Sequence, residues 1–244
     1  MFVALVAIGG AFALIPPIPQ DPGYHLFADG RTLLGIPNTW NVLSNLPFLI
    51  VGLLGLNLAR RHRICTPELR PAYVVFFFGI LLTAFGSGYY HLDPNNESLL
   101  PDRLPMTIGF AGLFSIVIGE FISANTGRRL VLPMLVAGIA SVVYWGVTEA
   151  NGVGDLRPYA LVQFLPMLLI VIILTVYRRA SALLPYFWLM MLCYVLAKIA
   201  EHFDTAIFSA GEFVSGHTLK HLFASATPAV LLYALAKRTE VEPG

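Results

Sequence analysis

Three histidines have the type and spacing needed to hold one metal ion. His217 and His221 are four residues apart in Gly216-His217-Thr-Leu-Lys-His221, so on a helix both imidazoles project from the same face. That spacing lets two ring nitrogens share a divalent cation. His91 closes an apolar segment far upstream, in Ser87-Gly-Tyr-Tyr-His91. The sequence therefore predicts that His91, His217 and His221 meet around a zinc ion.

Two further polar residues are candidates for catalysis. Three neutral imidazoles leave zinc one open tetrahedral position, which is typical of a catalytic site, and water bound there has a pKa of about 7. Asp102 could accept the proton from that water and deliver it to a leaving amine. Ser87 lies one helical turn before His91, where its hydroxyl could hold the water or donate to an oxyanion. The alternative interpretation is that these residues only stabilise contacts between helices.

The composition indicates a membrane protein. The chain is 57% hydrophobic and only 12% charged, whereas soluble domains carry about 25% charged residues, and its mean hydropathy is +0.74. A net charge of +1 gives no reason to expect a nucleic-acid partner. Cys65 and Cys193 are too isolated to form a disulfide framework or a thiolate metal site.

Long apolar segments predict an all-α fold, a polytopic membrane helix bundle. A polar stretch rich in proline and glycine, residues 16–38, separates the first segment from the others. The eight predicted segments are 1–15, 40–59, 72–90, 104–122, 130–148, 159–177, 183–203 and 217–236.

The placement of basic residues predicts the orientation. Arginine and lysine clusters follow every second segment, at Arg60, Arg61, Arg63, Arg128, Arg129, Arg178, Arg179, Lys237 and Arg238. The positive-inside rule makes this side cytoplasmic, so both termini face the cytoplasm. His91, His217 and Asp102 then lie at one depth, close to the opposite face of the membrane.

These motifs together resemble the alkaline ceramidase family. The matching features are Ser87-x-x-x-His91, Asp102 eleven residues after His91, and His217-x-x-x-His221 near the chain end. Residues 40–45, Trp-Asn-Val-Leu-Ser-Asn, look like the segment that opens the family's first core helix. The family belongs to a superfamily of seven-helix membrane hydrolases that includes the adiponectin receptors.

The resemblance implies a division of the chain into three parts. Residues 1–37 would be an extra N-terminal transmembrane helix with its outer loop, residues 38–238 a seven-helix hydrolase core, and residues 239–244 a cytoplasmic tail. A compact chain of this design resembles bacterial members, so we expect a bacterial inner membrane with the zinc site near the periplasmic side.

The resemblance also implies an activity. His91, His217 and His221 would be the zinc ligands, and Asp102 and Ser87 would be the catalytic pair around the zinc-bound water. The expected reaction cleaves the amide bond of a ceramide-like lipid, taken from the bilayer, to a fatty acid and a sphingoid base. A seven-helix lipid receptor or sensor with little turnover is the main alternative, and haem ligation by the histidines is another. The substrate's chain length, amide against ester chemistry, and oligomeric state are not predicted.

One departure from the family concerns calcium. Eukaryotic members carry an acidic Asp-Trp-x-Glu-x-Asn cluster before the first core helix, which binds calcium. Residues 20–31 lack it, and Asn38 stands near the position of an expected glutamate. Asp21 and Asp29 are interpreted as solvated loop acids, so calcium control is doubtful.

Other polar and aromatic residues have competing interpretations. An ion pair between Lys198 and Glu201 that fixes helix packing is favoured over a substrate contact. Four polar residues near the outer ends of the fifth and sixth segments could line an entrance to the bundle or form a loop salt bridge. They are Glu149, Asp155, Arg157 and Gln163. The aromatic residues are interpreted as lipid-facing anchors; they are Phe76, Phe77, Phe78, Trp145, Phe187 and Trp188.

Overall fold

Seven helical spans in the described residues are long and apolar enough to cross a membrane. The computed structural model describes residues 14–60, 66–178 and 181–241. Its helices are α1 (Thr39–Leu43), α2 (Leu46–Arg60), α3 (Arg70–Leu92), α4 (Asn96–Phe121), α5 (Ala124–Ala150), α6 (Arg157–Val176), α7 (Leu184–His202), α8 (Asp204–Gly211) and α9 (Gly216–Val241). The predicted all-α bundle is confirmed, whereas predicted segment 1–15 lies outside the described residues except for its last two.

The first span is broken between α1 and α2. Together they cover Thr39–Arg60, but Pro47 is the second residue of α2. Proline has no N–H to donate and its ring clashes with the carbonyl four residues earlier, so a continuous helix from α1 is interrupted there. The break leaves Ser44 and Asn45 in a buried turn, where they can serve the interior of the bundle.

Helix α4 is the centre of the bundle. In its most apolar window 67% of the residues are buried, against 22–44% for the other spans. It packs against α3, α5 and α6. A Cβ atom at Gly79 would lie 2.4 Å from the Gly109 nitrogen, and one at Gly112 would lie 2.5 Å from the Phe76 nitrogen. The backbones of α3 and α4 therefore touch, as small residues permit in membrane bundles.

Helix α4 starts eight residues before its predicted position. The Asn95 side chain accepts from the Ser98 N–H, and the Ser98 hydroxyl accepts from the Asn95 N–H, which forms a capping box. The polar residues 96–103 are consequently the first two turns of the helix. The predicted segment 104–122 is wrong at this end, because it leaves Asp102 outside the helix, whereas Asp102 lies about one and a half turns inside it.

Residues 16–38 fold over the end of the bundle where the histidines lie, and we call this segment the cap. The Gln20 backbone N–H donates to Glu149 (3.2 Å), and the ring of His25 is hydrogen-bonded to Tyr90 (2.9 Å) and Asn96 (2.8 Å). Arg31 donates to the carbonyls of residues 212 and 213, just before α9. The cap is thus tied to α3, α4, α5 and the start of α9.

The interpretation of Asp29 as a solvated acid is wrong. Its side chain is only 1% exposed and lies 2.7 Å from Arg31. The hydrogen bonds from the Arg31 side chain lower the pKa of Asp29 below its ordinary value. Asp21 caps the 3₁₀ helix Pro22–His25 by accepting from Gly23 (2.9 Å). Both carboxylates therefore serve the structure of the cap.

Candidate metal centre and catalytic site

The structure brings the three predicted histidines together. His91 is in the last turn of α3, and His217 and His221 are in the first two turns of α9. All three are buried, and a ligand atom from each lies within 4.8 Å of the others. Each pair of rings has its centroids 4.9 Å apart. Three buried imidazoles that converge in this way are a suitable donor set for one ion.

Hydrogen bonding orients His221 toward that point. The Ser44 hydroxyl donates to the Asn41 carbonyl (3.1 Å) and lies 2.7 Å from His221 Nδ1. A hydroxyl has a single proton, so it accepts from Nδ1–H and leaves Nε2 with a free lone pair. A partner on the second ring nitrogen is the usual support of a metal-binding histidine.

One pair of nitrogens has the separation expected of two ligands of a tetrahedral ion. His221 Nε2 lies 3.3 Å from His91 Nε2, which is long for a hydrogen bond but equals the edge of a tetrahedron with nitrogens about 2.05 Å from zinc, about 3.3 Å. His217 Nε2 is buried without any partner among the described residues. An unsatisfied buried nitrogen costs free energy unless something binds it.

Ser87 and Asp102 lie beside the histidines. Both are buried, and Ser87, one turn before His91 on α3, lies within hydrogen-bonding reach of the Asp102 carboxyl group on α4. The side chains of Ser87, Asp102 and the three histidines all face one cavity. The five residues proposed from the sequence are therefore together in space.

The cavity has a polar end and a long apolar end. Its volume is about 310 Å³. On α3 it is lined from Phe76 to His91, a rise of about 22 Å at 1.5 Å per residue. The apolar lining includes Phe76, Ile80, Phe110, Leu113, Met167, Ile170, Phe187 and Met190. An amphipathic molecule with a polar head at the histidines and an aliphatic chain below them matches this shape.

Asp204 and Phe27, which the sequence did not single out, hold the histidines from the cap side. Asp204 accepts from the His217 N–H (2.7 Å) and from the Ala28 N–H (2.9 Å), so one carboxylate fixes both the start of α9 and the cap. The Phe27 ring packs on His91 and His217, with centroid distances of 4.7 and 4.4 Å. The apolar ring excludes water from that side of the imidazoles.

The comparison with known families agrees with this geometry. The family model described as Ceramidase matches residues 35–237, which is most of the chain and includes Ser87, Asp102 and the three histidines. The chain belongs to the ceramidase family. None of the curated proteins compared with it matches. Membership in the ceramidase family supports a membrane enzyme that hydrolyses ceramide, and most of the cap precedes the matched region.

A charged cluster lines the same cavity of this ceramidase-family protein. Glu201 pairs with Lys198 (2.7 Å) and with Lys220 (2.6 Å). The predicted ion pair between Lys198 and Glu201 is present, and all three residues also face the cavity. Lys220 lies directly before His221 in the motif, and the sequence analysis assigned it no role.

The residues around the predicted entrance have three different roles. Asp155 and Arg157 form a loop salt bridge of 2.7 Å, and hydrogen bonds from Arg157 lower the pKa of Asp155 to about 2. Glu149 binds the cap, while Gln163 lines the cavity.

The lipid-facing assignment is wrong for four buried rings, namely Phe76, Phe77, Trp145 and Phe187, whereas Phe78 and Trp188 are exposed.

Proposed function

We propose that this protein is an integral-membrane, zinc-dependent amidohydrolase that cleaves ceramide-like lipids to a fatty acid and a sphingoid base. The observation that carries the proposal is the convergence of His91, His217 and His221 at the polar end of an apolar cavity. Ceramidase-family membership supports the reaction class, and the donor set supports the metal.

The three histidines would hold the ion through ring nitrogens. A zinc ion bound there would polarise the amide carbonyl and supply hydroxide at neutral pH. Asp102, buried beside Ser87, would take a proton from the attacking water on a carboxylate oxygen and pass it to the nitrogen of the leaving amine. Ser87 would donate its single Oγ proton to the carbonyl oxygen as negative charge develops, once Asp102 has itself taken up a proton.

The rest of the cavity would bind and shield the substrate. The apolar lining would take an acyl chain from the bilayer, and Phe27 would keep bulk water from the imidazoles. In the charge-based orientation the site lies near the periplasmic face of a bacterial inner membrane. Calcium has no role in the proposal, since Asp21 and Asp29 already have protein partners.

Metal content and turnover should be lost together. We expect alanine at His91, His217 or His221 to remove zinc, measured by elemental analysis, and fatty-acid release from ceramide. His202 is the matched control, because it is exposed on α7 and its alanine variant should keep both. Full zinc content and turnover in a triple variant of the three site histidines would refute the proposal.

A substrate panel separates the remaining alternatives. N-acyl lipids and matched esters should be compared, with the amides expected to be cleaved. Tight lipid binding without release of fatty acid from any of them would favour the receptor alternative. A strong visible absorption band in the purified protein would favour haem.

A further inference from the structure

Arg103 is a buried cation in the wall of the cavity. It follows Asp102 on α4 and is only 5% exposed. Its guanidinium lies over the rings of Trp145 (4.2 Å), Tyr159 (4.9 Å) and Tyr24 (5.7 Å). Stacking of this kind fixes the plane of the guanidinium and leaves its N–H groups to bind within that plane.

The hydrogen bonds of Arg103 are incomplete. Nη2 donates to Gln20 Oε1 of the cap (2.6 Å), but Nη1 is buried and has no partner among the described residues. The other cations of the cavity wall, Lys198 and Lys220, share Glu201, whereas within the described ranges Arg103 has no carboxylate at ion-pair distance. A desolvated cation without a counter-ion is costly, so an anion is the partner missing from this position.

Asp102 does not supply that partner. Adjacent residues on a helix diverge by about 100°, and the Ser87 hydroxyl of α3 is within hydrogen-bonding reach of the Asp102 carboxyl group. Arg103 is directed instead to the α5 and α6 side, where Trp145 and Tyr159 lie. The guanidinium therefore lies against a different part of the cavity wall from Ser87.

The shape of the cavity limits the class of anion. From Tyr159 the lining continues along one face of α6 through Gln163, Met167 and Ile170, a rise of about 16 Å. An anion at Arg103 would therefore have an aliphatic chain attached. A planar guanidinium is well suited to a carboxylate.

We propose that Arg103 is a subsite for the carboxylate of a free long-chain fatty acid, whose chain lies along α6. The biological role rests on the proposed function, because the fatty acid would be the product of amide hydrolysis and would compete with substrate for the cavity. The binding itself does not require turnover or a metal.

The test compares ligands that differ only in the head group. Palmitate, hexadecanol and hexadecyl phosphate would be titrated into the purified full-length protein, metal-replete and after chelation, with calorimetry as the readout. Palmitate should bind at least about 10-fold more tightly than hexadecanol in both states, the difference that a charge-assisted hydrogen bond produces. Arg103→Gln should abolish this preference. Lys198→Gln is the control that removes a paired cation from the same cavity and should retain it.

Three outcomes in the wild-type protein would overturn the assignment. Equal affinities for palmitate and hexadecanol in the wild type would exclude an anion subsite. A preference that disappears on chelation would place the carboxylate at the histidines. Tighter binding of hexadecyl phosphate than palmitate would replace the carboxylate with a phosphate. If Arg103→Gln fails to fold, Arg103→Lys replaces it; this variant keeps the charge but loses the planar guanidinium, and it should bind palmitate more weakly than the wild type. The comparison of palmitate with hexadecanol in the wild-type protein tests the anion subsite without any variant. A palmitate preference in a protein that hydrolyses no amide would refute the proposed function and leave this subsite intact.

Discussion

Replacing Gly86 by alanine should inactivate the enzyme by pushing two site helices apart. Gly86 precedes Ser87 on α3, and a Cβ atom there would lie 2.0 Å from the Pro101 carbonyl oxygen on α4. That carbonyl cannot accept the usual helical hydrogen bond, because residue 105 is also proline and has no N–H. It can therefore point outward, and only a glycine on α3 leaves room for it.

The size of the effect follows from the distance. Real Cβ atoms do not approach within 3.0 Å of such atoms, and a backbone carbonyl cannot rotate away, so α3 and α4 must separate by about 1 Å at this level. Overpacking of this kind costs about 1–3 kcal/mol, offset by about 1 kcal/mol of helix propensity gained by alanine. Stability should change little, whereas about 1 Å of misplacement between Ser87 and Asp102 should lower turnover about 100-fold.

Gly88 provides the matched control. It flanks Ser87 on the other side, and a Cβ atom there would meet nothing within 4 Å. Fatty-acid release and thermal unfolding should be measured for Gly86→Ala, Gly88→Ala and the wild type in the same detergent. We expect Gly88→Ala to keep wild-type turnover. Wild-type turnover in Gly86→Ala, or equal loss in both variants, would refute the argument from helix separation.

Three further predictions test the structural roles of residues outside the catalytic set. The pKa of Asp155 is lowered in the folded protein to about 2. Its contribution to the free energy of unfolding, about 2 kcal/mol, is therefore complete above pH of about 4 and is lost as the pH falls toward 2. Asp155→Asn should flatten this part of a profile of unfolding temperature against pH, and an unchanged profile would contradict the assignment. The Glu120 side chain, 4% exposed at the opposite end of the bundle, binds Arg238 and Tyr73. Glu120→Ala should lower thermal stability by about 1–3 kcal/mol, because it removes hydrogen bonds to a charged group, but leave zinc content unchanged. A loss of zinc from the folded variant would contradict a purely structural role. Phe27→Ala should speed zinc release to a chelator, because its ring covers two of the histidines; an unchanged rate would show that the ring does not shield them.

The helices were predictable because each crosses an apolar medium. Segments predicted at 72–90, 159–177 and 183–203 correspond to helices whose observed ends differ by two residues or fewer. The main error was at α4, where a polar stretch of eight residues is helical. Hydropathy cannot detect helical turns at the membrane boundary, and the Asn95–Ser98 capping box was the available local signal.

The histidine cluster was predictable because spacing and depth could both be derived from the chain. The pair His217 and His221 required only the helical period, and the charge pattern placed His91 at the same level. Arg103 was missed because it was assigned to a loop; inside α4, a charged residue at membrane depth would have been a functional candidate. The contact of Phe27 with the imidazoles joins distant parts of the chain, and no local pattern predicts it.

The side chains that line the cavity could not be predicted from the sequence, for a physical reason. In a soluble protein an apolar side chain indicates the core, but in a membrane the lipid is as apolar as the interior, and both faces of a helix carry the same residue types. Phe76 and Phe78 are two residues apart on α3, yet Phe76 is 3% exposed and lines the cavity while Phe78 is 45% exposed. The distinguishing information lies in the small residues opposite: Gly112 on α4 admits the backbone of Phe76 and so turns that face of α3 inward. The position of this glycine, which hydropathy does not weigh, therefore distinguishes the ring that faces the cavity from the ring that does not.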